Sequence, residues 1–128
     1  MADKSAAELF DMKVAHVGLN AANDGEAAGV AGDFLKLMGL PVRETPLSYF
    51  NGDLVEIMKE NGRGTHGHIG FSVNDVEAAI RYFEERGLKS IPETKKFDEN
   101  GKCFFTYFEG EIGGFAIHIV QQLSLIHI

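Results

Sequence analysis

The sequence predicts an α+β domain made of two tandem βαβββ modules, and an internal repeat is the main observation behind this. The segment His16–Asn20 (HVGLN) is answered later in the chain by His68–Ser72 (HIGFS). Each copy is followed by a helical pattern ending in Gly-Leu, and then by extended segments separated by turn residues. Two such modules are expected to form a cupped mixed sheet around a cleft.

The two predicted helices follow the two copies of the repeat. In the first copy Asn23 or Asp24 is the expected N-cap, and Gly39 is the expected end of the helix. In the second copy Asn74 is the expected N-cap, and Glu77 three residues later completes a capping-box arrangement.

Turn residues divide the remainder of each module into strands. The predicted strands lie next to Asn-Gly or Gly-Gly pairs and cover residues 48–50, 54–58, 103–108 and 115–120. We therefore place module one at 13–60 and module two at 66–121. Residues 1–12 read as a linker or short helix. The apolar tail 122–128 lies outside the repeat, either as a non-native extension or as a surface for a second copy of the chain.

Four polar residues stand inside the apolar strands: His16, Glu56, His68 and His118. Successive side chains of a strand point to opposite faces, so the apolar neighbours can pack in the core while the polar residues share the other face. A lone strand histidine is more often a hydrogen-bonded core residue than a ligand. Glu56 changes that balance, because a buried carboxylate is costly unless it is paired or binds a metal. The quartet therefore predicts one metal site.

Three imidazoles and one carboxylate also indicate which metals fit. Nitrogen-rich ligation favours Zn, Ni or Co, with Fe or Mn as alternatives, over Mg or Ca.

Composition excludes several other classes of protein. The chain has 128 residues, of which 45% are hydrophobic and 24% charged, as expected for one ordinary domain. A net charge of -7 argues against a nucleic acid or an anionic membrane surface as partner. Cys103 is the only cysteine, which rules out an intrachain disulfide and fits a buried thiol. With neither a signal-peptide pattern nor a membrane span in the sequence, the cytoplasm is the expected compartment.

The strand histidines, the glutamate, and the segments 67–73 (GHIGFSV) and 113–120 (GGFAIHIV) resemble the vicinal oxygen chelate superfamily. That superfamily includes glyoxalase I, methylmalonyl-CoA epimerase, extradiol dioxygenases and the bleomycin-resistance proteins. The likeness covers about residues 13–121. More narrowly, the chain is similar to a domain of this superfamily appended to some bacterial 2-keto-3-deoxy-6-phosphogluconate aldolases.

This resemblance implies roles for individual residues. By position, His16, Glu56 and His68 match three metal ligands of glyoxalase I, while His118 stands where that enzyme has a second glutamate. In the glyoxalase reaction metal-bound carboxylates move a proton between adjacent carbons. With His118 in place of the second glutamate, only Glu56 is left to do this. From the chemistry of the site we expect Glu56 to act as the base and His118 as its acid partner.

The implied function is that of a metal-dependent isomerase, epimerase or lyase of the glyoxalase type. Its substrate would be a small 2-oxo or 2-hydroxy acid or aldehyde with vicinal oxygens, converted through a metal-stabilised enediolate. An Fe-dependent dioxygenase and a non-catalytic ligand-binding or sequestration module are the alternatives. The resemblance also implies a homodimer.

Weaker patterns point to further residues near such a site. His66 lies close to the second module's first strand, and Tyr49 and Tyr107 fall in corresponding late strands, so all three are candidates to face the substrate. Five basic residues could meet an anionic substrate, although each one alone reads as a solvated surface charge: Arg43, Arg63, Lys95, Lys96 and Lys102.

Overall fold

The computed structural model describes residues 4–123 of the chain. Most of the predicted tail, residues 124–128, therefore lies outside the described residues. In the segment before the first module, a short helix, α1 (Ala6–Leu9), is capped by the Ser5 side chain.

After α1 the chain runs twice through the order strand, helix, three strands. The first half contains β1 (Lys13–Asn20), α2 (Asp24–Met38), β2 (Val42–Glu44), β3 (Ser48–Asn51) and β4 (Val55–Met58). The second half contains β5 (Gly67–Val73), α3 (Val76–Glu85), β6 (Lys96–Phe97), β7 (Cys103–Tyr107) and β8 (Phe115–Gln121), with a 3₁₀ turn at Pro92–Thr94 before β6. The strands predicted after each helix are found to within one residue at each end.

Between residues 4 and 123 the eight strands belong to one mixed sheet in the order β2-β3-β4-β1-β5-β8-β7-β6. Strand β1 runs parallel to β4, and β3 is antiparallel to both of its neighbours, β2 and β4. Strands β6, β7 and β8 form a second antiparallel run. The predicted α+β class is confirmed.

The chain divides into two compact units. The first unit, residues 15–69 and 111–116, contains α2 and β2 to β4. Its core packs two alanines of α2 with residues of β4 and one alanine that follows β1, namely Ala27, Ala31, Val55, Ile57 and Ala21. Ala27 and Ala31 are one turn apart, so α2 presents a smooth buried stripe. This packing holds β4, and with it Glu56, in a fixed position.

The second unit comprises residues 70–110, 117–123 and the described residues up to 14. Its core joins α3 to β7 and β8 and consists of Phe10, Val73, Val76, Ala79, Ile80, Cys103, Phe108 and Ile119. Phe10 attaches the chain after α1 to this core. Cys103 is buried, as the sequence predicted. The predicted module boundaries at 13–60 and 66–121 stay a prediction.

The cap of α2 agrees with the sequence. The Asn23 side chain accepts a hydrogen bond from the Glu26 amide at 2.8 Å. At the other end Gly39 takes the left-handed conformation, with φ 73°, and its N–H bonds the Leu35 carbonyl.

The predicted cap of α3 was wrong. Asp75, not Asn74, is the N-cap, and its carboxylate accepts from the Ala78 amide at 3.1 Å. The Asn74 side chain instead donates to the Leu9 carbonyl, and Glu77 accepts from the Cys103 amide. Tertiary contacts thus occupy both residues of the predicted capping box.

Across residues 4–123 no helix combines the length and the apolar character that a membrane crossing requires.

Candidate metal centre

The first unit brings His16, Glu56 and His68 together on the polar face of the sheet. Strand β1 pairs with β4 so that Gly18 lies opposite Glu56, and β3 pairs with β4 so that Phe50 lies opposite Glu56. Directly paired residues share a face, and His16 shares the face of Gly18 two residues on. The alternation read from the sequence therefore places both side chains correctly.

Three candidate ligand atoms converge at this point. His16 Nε2 lies 2.9 Å from His68 Nε2, and His68 Nε2 lies 3.2 Å from Glu56 Oε1. His16 Nε2 lies 3.8 Å from the same carboxylate oxygen. The side chains of His68, Glu56 and His16 are only 6%, 16% and 20% exposed. Polar atoms this poorly hydrated depend on each other or on an ion for their electrostatic stabilisation.

Two glycines allow β5 and the His68 ring to pack closely against β1. A Cβ on Gly18 would lie 2.0 Å from His68 Cε1, so only glycine leaves space for the imidazole beside β1. Gly67 has φ 147°, and a Cβ there would lie 2.0 Å from the Gly18 carbonyl oxygen. The glycine of the HVGLN repeat thus has a direct role in the site.

Ser48 holds the other oxygen of Glu56. Its hydroxyl donates to Glu56 Oε2 at 2.7 Å, and the Thr45 hydroxyl oxygen lies 2.9 Å from the Ser48 hydroxyl oxygen. Ser48 is almost fully buried. Because Oε2 is fixed in this way, Oε1 is directed at the two imidazoles.

Electrostatics favour the protonation states that a metal requires. Burial, and then the neighbouring His68 imidazole, lower the pKa of His16, although Glu56 opposes this. Burial alone would raise the pKa of Glu56, but hydrogen bonds with His68 and Ser48 and the charge of both histidines outweigh it, and the pKa falls. Neutral imidazole and ionised carboxylate are the forms that bind metal ions.

The donor set fits a divalent metal. Metal–nitrogen and metal–oxygen bonds of this kind are about 2.1 Å long, so neighbouring ligand atoms on one ion lie about 3 Å apart. The separations of 2.9 Å and 3.2 Å match that spacing. Two imidazole nitrogens and one carboxylate oxygen are ligands that Zn, Ni, Co and Fe accept.

His118 belongs to the second unit, where it is buried among aromatic rings. On β8 it lies opposite Tyr107 of β7. Its ring centroid is 4.6 Å from that of Phe105 and 5.0 Å from that of Tyr107. Its place as a fourth ligand stays a prediction.

The structure separates the three weaker candidates. Tyr107 shares the face of His118, whereas Tyr49 lies opposite Ile57, on the face that packs against α2. The Tyr49 hydroxyl donates to Asp24 Oδ1 at 2.6 Å, and a role for Tyr49 towards a substrate stays a prediction. His66 precedes β5 and is exposed, and its ring centroid lies 6.0 Å from that of Phe115 with the two rings tilted at 56°.

Sequence reasoning missed three neighbours of the candidate ligands, two beside Glu56 in the first unit and one beside His118 in the second: Ser48, Phe50 and Phe105. Each lies on a strand adjacent to a candidate ligand, and its contact depends on the register between strands. Ser48 and Phe50 alternate with Tyr49, so the period of two could have placed them on the face of Glu56. The sequence alone does not fix which residue stands opposite which.

A scan of protein-family models and a search of curated protein sequences returned no match. Solved structures do match. Methylmalonyl-CoA epimerase from Mycobacterium tuberculosis superposes with a TM-score of 0.59 at 14% identity, covering 89% of this chain and 90% of that one. A Streptomyces coelicolor methylmalonyl-CoA epimerase variant in complex with 2-nitronate-propionyl-CoA gives 0.59 at 15% identity, over 88% and 95% of the two chains.

A third match is a mutant of homoprotocatechuate 2,3-dioxygenase from Brevibacterium fuscum, with a TM-score of 0.58 and 15% identity. It covers 88% of this chain and 33% of that one, so this chain spans a third of the dioxygenase. All three belong to the vicinal oxygen chelate superfamily.

The chain has the vicinal oxygen chelate fold. The resemblance inferred from the sequence is thus confirmed at the level of the fold, and identities this low carry it no further. Within that fold one neighbour is an epimerase and another a dioxygenase, so a shared architecture does not select the reaction.

Proposed function

We propose that the chain is a metal-dependent enzyme of the glyoxalase type, an isomerase, epimerase or lyase acting on a small 2-oxo or 2-hydroxy acid or aldehyde. The observation that carries this proposal is the convergence of His16 Nε2, His68 Nε2 and Glu56 Oε1 in a poorly hydrated position. Zn, Ni or Co is the proposed ion, and Fe or Mn would also accept these ligands.

We propose His118 as the fourth ligand. Support comes from its position in the repeat, because His118 on β8 faces Tyr107 as Glu56 on β4 faces Phe50. Its burial, with 3% of its surface exposed, also favours a defined role over a surface one.

When bound, a divalent metal would polarise a chelated carbonyl and make the proton on the adjacent carbon more acidic. Glu56 is the proposed base for that proton, and His118 the proposed acid that returns one. Ser48 orients the Glu56 carboxylate by donating to Oε2. The lowered pKa of Glu56 suits a ligand, so its contacts with the imidazoles must loosen before it acts as a base.

An Fe-dependent dioxygenase is the second candidate, supported by the homoprotocatechuate 2,3-dioxygenase neighbour. Four protein ligands leave fewer open positions for substrate and oxygen than a three-ligand facial site, which favours the glyoxalase type. A non-catalytic binding module is the remaining alternative. It predicts saturable binding of a ligand without turnover.

Metal content per chain, measured by plasma mass spectrometry, tests the site. We expect near-stoichiometric Zn, Ni or Co in the wild type and at least a roughly tenfold loss in Glu56→Ala, since that change removes a charged ligand. Glu44→Ala is the matched control, because Glu44 is an exposed carboxylate paired with Lys59. Equal metal content in the wild type and Glu56→Ala would contradict the site.

Reaction class needs a separate measurement on metal-loaded protein. Exchange of the C3 protons of a 2-oxo acid with deuterium, followed by NMR, is expected in the wild type and not in Glu56→Ala. Iron in the protein together with oxygen consumption would favour the dioxygenase. Binding without exchange, under any metal, would favour the binding module.

We further propose a homodimer, which the resemblance to the superfamily implies, and a cytoplasmic location, which the single buried cysteine supports. Light scattering at micromolar concentration tests the first. A monomer there would contradict it.

A further inference from the structure

A row of paired residues in the first unit joins the candidate ligand Glu56 to a cation at the edge of the sheet. Arg43 on β2 lies opposite Phe50 on β3, and Phe50 lies opposite Glu56 on β4. Residues paired in this way share one face. Arg43 therefore lies on the polar face that carries His16 and Glu56. Its Cα lies two strand spacings, about 10 Å, from the Cα of Glu56.

The Arg43 guanidinium packs over the face of the Phe50 ring. The guanidinium carbon of Arg43 lies 4.6 Å from the ring centroid of Phe50, and that ring lies 6.5 Å from the imidazole of His16. Stacking on a ring leaves the N–H donors of the guanidinium in its own plane, directed outward. This arrangement limits the side chain's freedom before a ligand arrives, which lowers the entropic cost of binding.

The ion pair between Arg43 and Asp53 is weak. Arg43 Nη2 lies 3.6 Å from Asp53 Oδ1, and the Asp53 side chain is fully exposed. Exposed pairs of this kind add little stability. Lys59, by contrast, is mostly buried and contacts both Glu44 and Asp24. Arg43 can therefore exchange its exposed partner for a ligand at little cost.

We propose that Arg43 binds a carboxylate of the substrate, so that the substrate is a small acid with a second carboxylate a few carbons away from its chelating oxygens. This inference rests on the proposed function, because it assumes that vicinal oxygens bind at His16, Glu56 and His68. It adds the substrate class and a specificity-determining residue.

Charge favours a single carboxylate over a phosphate dianion. One guanidinium neutralises the single charge of a carboxylate in a bidentate pair, whereas a phosphate dianion would keep a second negative charge. Asp53 beside it and the net charge of -7 oppose a second negative charge at this edge.

A pair of probes of equal length isolates this contact. 2-Oxoglutarate and 2-oxopentanoate share the chelating 2-oxo acid and the five-carbon chain, and only the first has a distal carboxylate. Calorimetric titration of Co-loaded protein with each gives a ratio of affinities. We expect the wild type to prefer 2-oxoglutarate by about tenfold, since hydrogen bonds to charged groups are worth that much.

Arg43→Gln is expected to reduce that ratio to near unity while leaving the affinity for 2-oxopentanoate and the cobalt content unchanged. Arg86→Gln is the matched control, because Arg86 also stacks on a ring, that of Tyr82 at 3.5 Å, but at the end of α3. It is expected to keep the wild-type ratio. Asp53→Asn removes the competing carboxylate and is expected to raise the ratio by about twofold.

The outcomes separate the two proposals. If 2-oxopentanoate binds but the wild type shows no preference, or if Arg43→Gln keeps it, the inference fails and the proposed function stands. Loss of the preference in Lys96→Gln instead of Arg43→Gln would also overturn it, since Lys96 stands over Phe105 in a similar way. If neither acid binds to the metal-loaded protein, the proposed function fails and this inference with it.

Discussion

Glu56 and His118 hold the same position in the two halves of the repeat, but their surroundings differ. Glu56 faces Phe50, and His118 faces Tyr107. Two residues further along, Ser48 faces Met58 in the first half, and Phe105 faces Val120 in the second. The position that supplies a hydroxyl to Glu56 therefore supplies a ring to His118.

This difference shows how a duplicated backbone can hold two kinds of polar side chain. The Ser48 hydroxyl satisfies a carboxylate oxygen that burial would otherwise leave costly. The Phe105 ring lies 4.6 Å from the His118 ring at an angle of 32°, which suits an imidazole and offers nothing to a carboxylate. The repeat sets the place of the polar side chain, and the adjacent strand sets which chemistry suits it.

The largest effect is expected from His118→Glu, which puts the residue of the first half into the surroundings of the second. A buried carboxylate without a hydroxyl partner should lower the free energy of unfolding by about 3 kcal/mol. Urea unfolding of chelator-treated protein near neutral pH measures this. His66→Glu, at an exposed histidine, is the control and should cost little.

Adding Phe105→Ser to His118→Glu should complete the conversion. A serine hydroxyl at position 105 can donate to the introduced carboxylate as Ser48 donates to Glu56. The double variant should therefore be more stable than the two single changes predict, by about 1 kcal/mol. Strict additivity in the double-mutant cycle would show that the two halves are not interchangeable at this position.

Gly18→Ala tests the space on which the first-half cluster depends. The added Cβ would lie 2.0 Å from His68 Cε1, so the imidazole must move. We expect a loss of about 2 kcal/mol in the free energy of unfolding and at least a roughly tenfold loss of metal affinity. Dialysis against a metal buffer and urea unfolding measure the two quantities.

Gly29→Ala is the matched control for Gly18→Ala. Gly29 lies in α2, and a Cβ there would meet nothing within 4 Å. Alanine should raise stability there by about 1 kcal/mol through helix propensity. Equal behaviour of the two variants would mean that the His68 ring has room to move.

Ser48→Ala removes the hydroxyl that distinguishes the first half. The hydrogen bond to a charged group should be worth about 1.5 kcal/mol near pH 7. The Ser48 bond is one of the causes that lower the pKa of Glu56. A depressed carboxyl pKa stabilises the fold above the unfolded value, and that stability is lost as pH falls through the folded value.

The difference between the wild type and Ser48→Ala should therefore shrink in acid. Urea unfolding at neutral pH and below the folded pKa of Glu56 compares the two conditions. Ser72→Ala is the control, because its hydroxyl makes only a 3.5 Å contact with the Lys13 carbonyl. A difference that stays constant with pH would show that the Ser48 bond does not depend on the charge of Glu56.

Much of the fold could be predicted because it follows from periodicity and turn chemistry. The repeat of a histidine strand and a helix located β1, α2, β5 and α3, and Asn-Gly and Gly-Gly pairs located most of the other strands. Alternation along β1 and β4 also placed His16 and Glu56 on one face. These are local properties, which a single sequence carries.

Register and tertiary contacts could not be predicted in the same way. Tyr49 and Tyr107 fall in corresponding strands, but the residue that matches Tyr107 by pairing is Phe50. A shift of one residue moves a side chain to the other face of the sheet. The cap of α3 failed for a related reason, because Asn74 and Glu77 bond to distant backbone groups.

The smallest effect concerns Tyr49, on the face away from Glu56. Its hydroxyl donates to Asp24 Oδ1, and this hydrogen bond, with burial and the charge of Asp24, raises the pKa of Tyr49 to about 12. Absorbance titration near 295 nm should show one of the three tyrosines ionising near that pH. Tyr49→Phe should remove this step, and Asp24→Asn should move it down towards the ordinary value.

The raised pKa of Tyr49 also makes the free energy of unfolding depend on pH in a defined direction. Because the folded pKa of Tyr49 exceeds the unfolded value, its contribution is complete below about pH 10 and is lost as pH rises towards the folded value. Tyr49→Phe should lose less stability than the wild type across that interval, as measured by urea unfolding. A titration unchanged by Asp24→Asn would contradict the Tyr49–Asp24 bond and reopen the question of which face Tyr49 occupies. The comparison between Phe50 and Tyr107 depends on that answer, because it assumes that Tyr49 and Phe50 point to opposite sides of β3.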